Sequence, residues 1–435
     1  MSLNPAFCAN LDSIIKNSEI NNNATIAVSV KDTKSGRTVY EYNENKLVNP
    51  ASVQKIFTMK AAYDELKPGY TFDTKAYIDA NNNLYIKLSA DPSLSTTKLK
   101  NLLITSKENY KKSFNDIIID DSIIDNKQWG TGWMWDDDVN QLLPKYSPYT
   151  INQNKISVKI TPGKNGRLPE IKNNSNYHMI FVNLLKNGET NNIVFERTPW
   201  LSSDMTYVKG SIKTETTMKL PVDSLQSYFI NELRKAISGA GLKYSGQIKT
   251  APVPEKAKLI ATESSESLEK LLSETLKNSN NLYSELIFKT AGSNYSKKQG
   301  STENGIELFR KTFAEVKDTE SIVIVDACGI SRNNLISANW TTDALNKIYK
   351  TPEFDKFALL LPKPMEGTLS NRLLDISLRL RAKTGTASGI SSIAGYIDTK
   401  SNKKYSFAIF VQNHNMSEKE VKKFENELIM EMYKM

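Results

Sequence analysis

Apolar positions near the start of the chain follow two different periods. Mostly apolar or β-branched runs at 24–30 and 38–42 flank a turn at 32–36 that contains Asp, Ser and Gly, which predicts a pair of strands. After Pro50, a residue that fits helix entry, apolar residues recur at helical spacing: Val53, Ile56, Phe57 and Ala61. The pattern therefore predicts two strands that lead into a buried helix.

The middle and the end of the chain show different patterns. From about residue 70, short alternating runs such as 156–160 are separated by Asn, Asp and Gly turns, which predicts a β-rich insertion. Near the C-terminus, two strand-like runs at 391–397 and 405–411 predict a hairpin. The last segment, 418–432, predicts an amphipathic helix that packs on this sheet.

Length and composition limit the possible classes of protein. At 435 residues the chain exceeds what one hydrophobic core usually supports, so we expect two or three domains. The formal charge of +9 comes from scattered lysines without interleaved aromatics, so no nucleic-acid partner is expected. Two cysteines and two histidines predict neither a disulfide framework nor a metal site. No window reaches the roughly 20 apolar residues of a transmembrane segment.

Ser52 and Lys55 stand three residues apart, so they share one face of the predicted helix. A serine hydroxyl is a poor nucleophile until a neighbour takes its proton, and a partly desolvated lysine has a pKa low enough to do so. Ser52 is therefore a candidate nucleophile and Lys55 its base. A single copy of this pattern is also typical of a solvated helix face, and further copies begin at Ser13, Ser95, Ser267 and Ser401.

Two further motifs follow in order along the chain. Ser279-Asn280-Asn281 lies at a break between helix-like segments. Lys383-Thr384-Gly385-Thr386 contains the only Lys-Thr-Gly of the chain and precedes a strand-like run, where Gly lets a ligand approach the backbone closely. Ser331-Arg332-Asn333 rivals the second motif by pattern alone.

The three motifs are the signature of penicillin-binding proteins and class A β-lactamases, and the chain resembles that superfamily. More than 200 residues separate Ser52 from Ser279, a longer segment than β-lactamases and simpler carboxypeptidases have. The chain is therefore similar to the class C low-molecular-mass penicillin-binding proteins, the D-alanyl-D-alanine carboxypeptidase/endopeptidases of the DacB type (penicillin-binding protein 4 family). Further similar segments are 90–94, 132–137, 326–332 and 367–372.

Two positions depart from the family pattern. Asp326-Ala327-Cys328-Gly329 replaces the usual Asp-Gly-Ser-Gly, which puts the geometry of the local turn in question. Asn280 replaces a frequent Asp, at a position whose side chain we expect to point away from the site. The rival motif at 331–333 matches a different segment of the family and is rejected for that reason.

The resemblance implies an α+β multidomain fold. A transpeptidase-like, serine β-lactamase-like domain, built on an antiparallel sheet with helices on both faces, is split by a nested, β-rich insertion. We expect the catalytic domain at 1–65 and 262–435, a second domain at 66–160 and 240–261, and a third, β-rich domain at 161–239.

The resemblance also implies roles for the catalytic residues. Ser52 attacks the penultimate D-alanine of a peptidoglycan stem peptide that ends in D-Ala-D-Ala, and Lys55 accepts its proton. Ser279 relays a proton to the leaving amine, and Asn281 bonds the peptide amide. No cofactor is needed, and β-lactam antibiotics should acylate Ser52 because they mimic the D-Ala-D-Ala end.

The third motif is expected to bind the substrate carboxylate. The family pattern implies that Lys383, Thr384 and Thr386 hold the terminal carboxylate, with Gly385 between them in the strand. The backbone N–H groups of Ser52 and Thr386 are expected to hold the oxyanion.

A substrate side-chain contact is implied for the acidic segment 132–138. Aligned on its two tryptophans, Asp137 meets the side-chain ammonium of diaminopimelate, with Trp133 or Trp135 as a wall and Arg332 nearby. The competing interpretation is an exposed acidic loop.

Two other functions stay open from the sequence alone: a serine β-lactamase, and a catalytically silent penicillin-binding wall-sensor module. The family acts outside the cytoplasmic membrane, so an exported, periplasmic or cell-wall-associated enzyme is expected. No signal peptide is apparent, and Met1-Ser2-Leu3 is interpreted as a remnant that replaces one. Cys8 as a lipid anchor is a further alternative.

Overall fold

The computed structural model describes residues 5–175, 177–197 and 205–435. None of the helices in this part of the chain has the length and apolar character that a membrane crossing needs. In chain order, the helices are α1 (Pro5–Asn17), α2 (Lys55–Leu66), α3 (Thr96–Asn109), α4 (Leu225–Ala240), α5 (Leu268–Lys277), α6 (Asn281–Ser296), α7 (Thr302–Thr312), α8 (Ala338–Tyr349), α9 (Phe354–Ala358) and α10 (Glu418–Lys434).

The strands of the first half of the chain, in order, are β1 (Thr25–Asp32), β2 (Thr38–Tyr42), β3 (Asp73–Ile78), β4 (Leu84–Lys87), β5 (Ile117–Asp120), β6 (Lys155–Thr161), β7 (Glu170–Asn173), β8 (Ile180–Asn187), β9 (Asn192–Glu196), β10 (Met205–Ile212) and β11 (Thr216–Pro221). Those of the second half are β12 (Ile248–Thr250), β13 (Lys258–Ser264), β14 (Leu380–Ala387), β15 (Ile390–Asp398) and β16 (Lys404–Gln412).

The two ends of the chain build one antiparallel sheet, in the order β14-β15-β16-β1-β2. Helices α2 and α8 share an apolar core with one face of this sheet, and α1 and α10 cover the other face. The predicted sheet with helices on both faces, the C-terminal hairpin and the closing helix are therefore confirmed. The predicted first strand pair is confirmed as β1 and β2.

Helix α2 is buried on nearly every side. The sequence predicted one apolar face, but all side chains from Lys55 to Tyr63 are buried because helices and sheet surround it. Phe57 packs edge-to-face against Phe313 and Trp340, with ring centroids 5.7 and 4.9 Å apart. A helix surrounded in this way holds the residues at its start in a fixed position.

The insertion contains a mixed sheet in the order β12-β5-β4-β3-β13, with α3 and α4 packed together beside it, and two smaller sheets, β11-β6-β7 and β8-β10-β9. The predicted β-rich character of this region is confirmed. All these elements contribute to one apolar core. The domain borders given above remain predictions, because the core runs across the inner ones.

A separate apolar cluster joins the insertion to the catalytic half of the chain. Its members are Ala90, Ile124, Trp133, Leu143, Tyr146, Leu282, Leu286 and Cys328. Within it, Trp133 Nε1 donates to Asp326 Oδ2 at 2.8 Å. The insertion loop around residues 132–143 is therefore fixed against the start of α6.

Trp340 provides a test of the catalytic core. Its side chain is 1% exposed, and its Nε1 donates to Thr319 Oγ1 at 2.9 Å. Trp340→Ala should lower the free energy of unfolding by about 3–5 kcal/mol, because it leaves a cavity among aromatic rings. Leu378→Ala, at a side chain 85% exposed, is the control and should change it by less than about 0.5 kcal/mol. Urea denaturation gives the measurement. If the two variants lost the same free energy of unfolding, Trp340 would not anchor this core.

Candidate active site

Ser52 lies in a short 3-10 turn that runs directly into α2. Ala51 has a φ of +44°, a left-handed value that is strained for a residue with a Cβ. Its N–H donates to Asn49 Oδ1 at 2.9 Å. Ser392 Oγ donates to Pro50 O at 2.8 Å. These contacts hold the strained turn and present Ser52, which is 6% exposed, at the floor of a cleft.

The Lys55 amine is fully buried and donates to three oxygens: Ser52 Oγ at 2.8 Å, Asn281 Oδ1 at 2.6 Å and Cys328 O at 2.8 Å. Burial lowers the pKa of Lys55 because it disfavours the ammonium form, although nearby acidic groups oppose this shift. A neutral Lys55 amine at this distance can accept the Ser52 proton.

The second motif lies between α5 and α6. Ser279 has a φ of +59° and lines the cleft. The Asn280 side chain caps α6, so it points at the helix as expected. Asn281 accepts from Lys55 through Oδ1, and its Nδ2 donates to Leu142 O at 2.9 Å. Asn281 therefore connects the lysine to the insertion loop.

The third motif lies on β14, at the edge of the sheet. Thr384 and Thr386 line the cleft, whereas Lys383 is fully buried and its Nζ donates to Thr384 O at 2.7 Å. Burial, followed by the charge of Lys55, lowers the pKa of Lys383 well below its usual value. Thr384 Oγ1 donates to Thr368 Oγ1 at 2.7 Å. The cleft thus presents threonine hydroxyls, with the lysine behind them.

Gly385 allows a close approach between β14 and the nucleophile turn. A Cβ at this position would lie 2.3 Å from Ser392 Oγ and 2.8 Å from Ser52 N. No other residue fits without displacing the strand. The main chain of β14 therefore lies next to the Ser52 amide, as a shared anion pocket requires.

The insertion forms the opposite wall of the cleft, whose volume is ≈ 390 Å³. Asp137 lines it, and burial raises the pKa of this carboxyl, while its side-chain hydrogen bond with Asn140 and, to a smaller extent, the charge of Arg332 oppose the rise. Arg332 also lines the cleft and donates to Ser388 O at 2.7 Å. Trp133 lines the cleft, but Trp135, predicted as a possible wall, lies outside the lining residues.

Three buried groups behind Lys55 have ligand atoms within 4.8 Å of one another: Glu285, Asp326 and Cys328. Both Asp326 oxygens already accept N–H donors, including Gly329 N at 2.8 Å and Ser331 N at 2.7 Å. This donor set fits a hydrogen-bonded core better than a cation site. Gly329, which this segment shares with the Asp-Gly-Ser-Gly pattern, has a φ of +82° in the turn.

Sequence reasoning missed several groups at the site. Thr368 carried a signal, because it lies in the similar segment 367–372, but no role was assigned to it. The carbonyl groups of Cys328 and Leu142 act through the main chain, for which side-chain identity gives no signal. Glu285, one turn after Asn281, was not recognised either.

Comparisons with known proteins agree with this geometry. A profile of the D-Ala-D-Ala carboxypeptidase 3 (S13) family matches residues 7–432. D-alanyl-D-alanine carboxypeptidase DacB of Haemophilus influenzae is 23% identical over 94% of this chain and 91% of that protein. The crystal structure of penicillin binding protein 4 (dacB) from the same organism has a TM-score of 0.86 at 22% identity and covers 98% of this chain and 100% of that chain. Its complex with a novel β-lactam has a TM-score of 0.82 at 21% identity, with the same coverage.

Lys55→Arg tests the role of the buried amine. A guanidinium does not lose its proton near neutral pH, so acylation by a fluorescent penicillin should fall by at least about a hundredfold. Lys60→Arg is the matched control, because Lys60 is buried on the same helix but pairs with Asp64 instead of Ser52. Labelling rates on folded protein give the measurement, and an active Lys55→Arg variant would exclude Lys55 as the base.

Gly385→Ala tests the close approach of β14. The added methyl group should push the strand away from the Ser52 amide and slow acylation by about a hundredfold, the scale of losing one oxyanion donor. Gly395→Ala is the control, since its Cβ would lie 2.1 Å from Arg381 O in the same sheet without a contact to Ser52. If both variants lose stability and acylation rate equally, the slower acylation results from damage to the sheet and not from a change beside Ser52.

Proposed function

The chain belongs to the D-Ala-D-Ala carboxypeptidase 3 (S13) family, and from this premise we propose that it hydrolyses peptidoglycan stem peptides as a serine D-alanyl-D-alanine carboxypeptidase and endopeptidase. The observation that carries the proposal is the contact of 2.8 Å between the buried Lys55 amine and Ser52 Oγ, at the floor of a cleft that the other two motifs line. This arrangement is an activated serine nucleophile with its base.

Acylation follows from the geometry. Ser52 Oγ attacks the carbonyl carbon of the penultimate D-alanine while its proton passes to Lys55. The N–H groups of Ser52 and Thr386 hold the oxyanion that forms. Ser279 relays a proton to the leaving nitrogen, the C–N bond breaks, and the terminal D-alanine or the cross-linking amine departs.

Deacylation completes the cycle. Water attacks the ester on Ser52, the C–O bond breaks, and a proton given up by that water restores the Ser52 hydroxyl as the shortened peptide leaves. Asn281 is proposed to bond the substrate amide through Oδ1, which has a second lone pair beyond its bond to Lys55.

The terminal carboxylate binds beside the third motif. The Thr386 hydroxyl donates to it, the Thr384 hydroxyl turns from Thr368 to donate to it as well, and Lys383 supplies positive charge from behind the strand. Burial holds the pKa of Lys383 low in the free protein, so an arriving carboxylate stabilises its ammonium form. β-Lactams carry a carboxylate in the same relation to their reactive carbonyl and are proposed to acylate Ser52.

This activity places the enzyme at peptidoglycan, outside the cytoplasmic membrane. We propose an exported protein, periplasmic or associated with the cell wall. The formal charge of +9 supports this placement, because a basic surface is attracted to an anionic wall.

The proposal is tested with Ser52→Ala and the control Ser13→Ala, an exposed serine from another Ser-x-x-Lys sequence. Released D-alanine is measured with a D-Ala-D-Ala pentapeptide, and intact mass spectrometry after penicillin treatment measures the adduct. Ser52→Ala should lose both signals, and Ser13→Ala should keep both, because Ser52 and not Ser13 is the serine that contacts Lys55.

Other outcomes would support the competing functions. Fast penicillin hydrolysis without D-alanine release would indicate a β-lactamase. A stable adduct without peptide turnover would indicate a silent sensor module. A penicilloyl adduct on Ser52→Ala would show that another residue is the nucleophile.

Asp137 is proposed to select substrates with a free side-chain amine, such as diaminopimelate. Its carboxyl lies in the cleft wall near Arg332, in a partly buried environment. An ammonium held there gains a charge-assisted hydrogen bond worth about 1.5–3 kcal/mol. Trp133 lines the same wall.

Asp137→Asn should lower kcat/KM for peptides with the free amine by about tenfold to a hundredfold and barely change cleavage of an analogue without it. Asp136→Asn, at the exposed neighbouring acid, is the matched control and should leave both substrates unchanged. Equal losses of Asp137→Asn on both peptides would assign Asp137 to the fold instead of substrate selection.

A further inference from the structure

Glu285 is a fully buried carboxyl that the reaction described above does not use. It lies one helical turn after Asn281, so both side chains project from the same face of α6. Oε1 accepts two backbone N–H groups, from Ala327 and Cys328, each at 2.9 Å. Oε2 has no hydrogen-bond partner among the described residues. Burying a carboxyl with one oxygen unpaired lowers the stability of the fold, so the presence of Glu285 calls for an explanation.

The segment that Glu285 binds is the one that binds the catalytic lysine. Cys328 donates its N–H to Glu285, and its carbonyl accepts from Lys55 Nζ at 2.8 Å. The next residue, Gly329, has a φ of +82°, and its N–H donates to Asp326. The turn is therefore held from both sides, by Glu285 and by Asp326, and its one carbonyl directed at Lys55 is fixed.

Helix α6 thus positions the Lys55 amine in two ways, one direct and one indirect. Asn281 binds Lys55 Nζ directly at 2.6 Å, and Glu285 acts on it through Cys328. Because Lys55 Nζ must keep one direction free for the Ser52 proton, both other acceptors have to stay in place. A shift of the Cys328 carbonyl would release the amine from its alignment with Ser52 Oγ.

The charge of Glu285 also faces other titratable groups. They come from every element packed against it: Asp326 and Cys328 from the turn, Lys55 from α2, Lys289 from α6 and Tyr146 from the insertion. Burial, followed by the charge of Asp326, raises the pKa of Glu285 to about 7. When ionised, Glu285 favours the ammonium form of Lys55, and when neutral it favours the free amine.

We propose that Glu285 is a positioning residue for Lys55: it holds the amides of Ala327 and Cys328 so that the Cys328 carbonyl fixes the amine in line with Ser52 Oγ. This inference rests on the proposed acyl-enzyme chemistry. It assigns a role in acylation to a side chain that touches neither the substrate nor the nucleophile.

The test measures the second-order rate constant of acylation by a fluorescent penicillin, across pH, for the parent, Glu285→Gln and Glu285→Leu. The amide oxygen of Gln can still accept both N–H groups, so Glu285→Gln should keep the rate at high pH within about threefold. It lacks the negative charge, so Lys55 should lose its proton at lower pH. The acid limb of the profile should therefore shift to lower pH. Glu285→Leu cannot accept the two N–H groups and should lose about tenfold to a hundredfold at every pH.

Glu232→Gln is the matched control, because Glu232 is a buried, hydrogen-bonded carboxyl in the insertion. It should leave both the rate and the pH profile unchanged. A Glu285→Gln variant that loses tenfold or more at high pH would overturn the proposal, even if Glu285→Leu does not fold, because its amide oxygen can still accept both N–H groups. So would a folded Glu285→Leu that reacts at the parent rate. If the parent takes no penicillin at all, the proposed function fails and this inference fails with it.

Discussion

The burial of one amine, that of Lys55, is the constraint on which the site depends. An amine without water needs its hydrogen bonds from the protein, and here they come from three places in the chain: the Ser52 turn, the start of α6 and the turn at Cys328. More than 200 residues separate the first of these from the other two. The antiparallel sheet and its helices bring them together, and the insertion, through Leu142 and Trp133, holds the assembly from the outside.

Two of the turns beside this amine have strained backbone. Ala51 and Ser279 both have positive φ values although they carry a Cβ, at +44° and +59°. Such conformations cost about 1–3 kcal/mol each and persist only where the surroundings fix them. The bond from Ser392 to Pro50 and the aromatic packing around α2 supply that support. The rigidity of the core thus serves the geometry of the reactive turn.

The sequence predicted the local parts of this picture well. The spacing of Ser52 and Lys55 is a local property, and the two later motifs in order singled out this copy of the pattern. The C-terminal strands were predicted because each is a short, mostly apolar run. The placement of Trp133 instead of Trp135 in the cleft wall depends on how the insertion loop packs on Asp326, a tertiary contact without a local signal. Glu285 was missed for a similar reason, because its partners are backbone N–H groups about 40 residues away. The inner domain borders stay predictions, because one apolar core spans them.

The central claim is that burial makes Lys55 available as a neutral base for Ser52. The pH dependence of Ser52 acylation by penicillin, followed from about pH 5 to about pH 10, tests it most directly. Burial lowers the pKa of Lys55 below its usual 10.5, so the rate should rise through an ionisation whose midpoint lies below that value and then level off. A rate that still climbs steadily at the upper end of the range would show that Lys55 keeps the pKa of an exposed lysine, and would contradict the account.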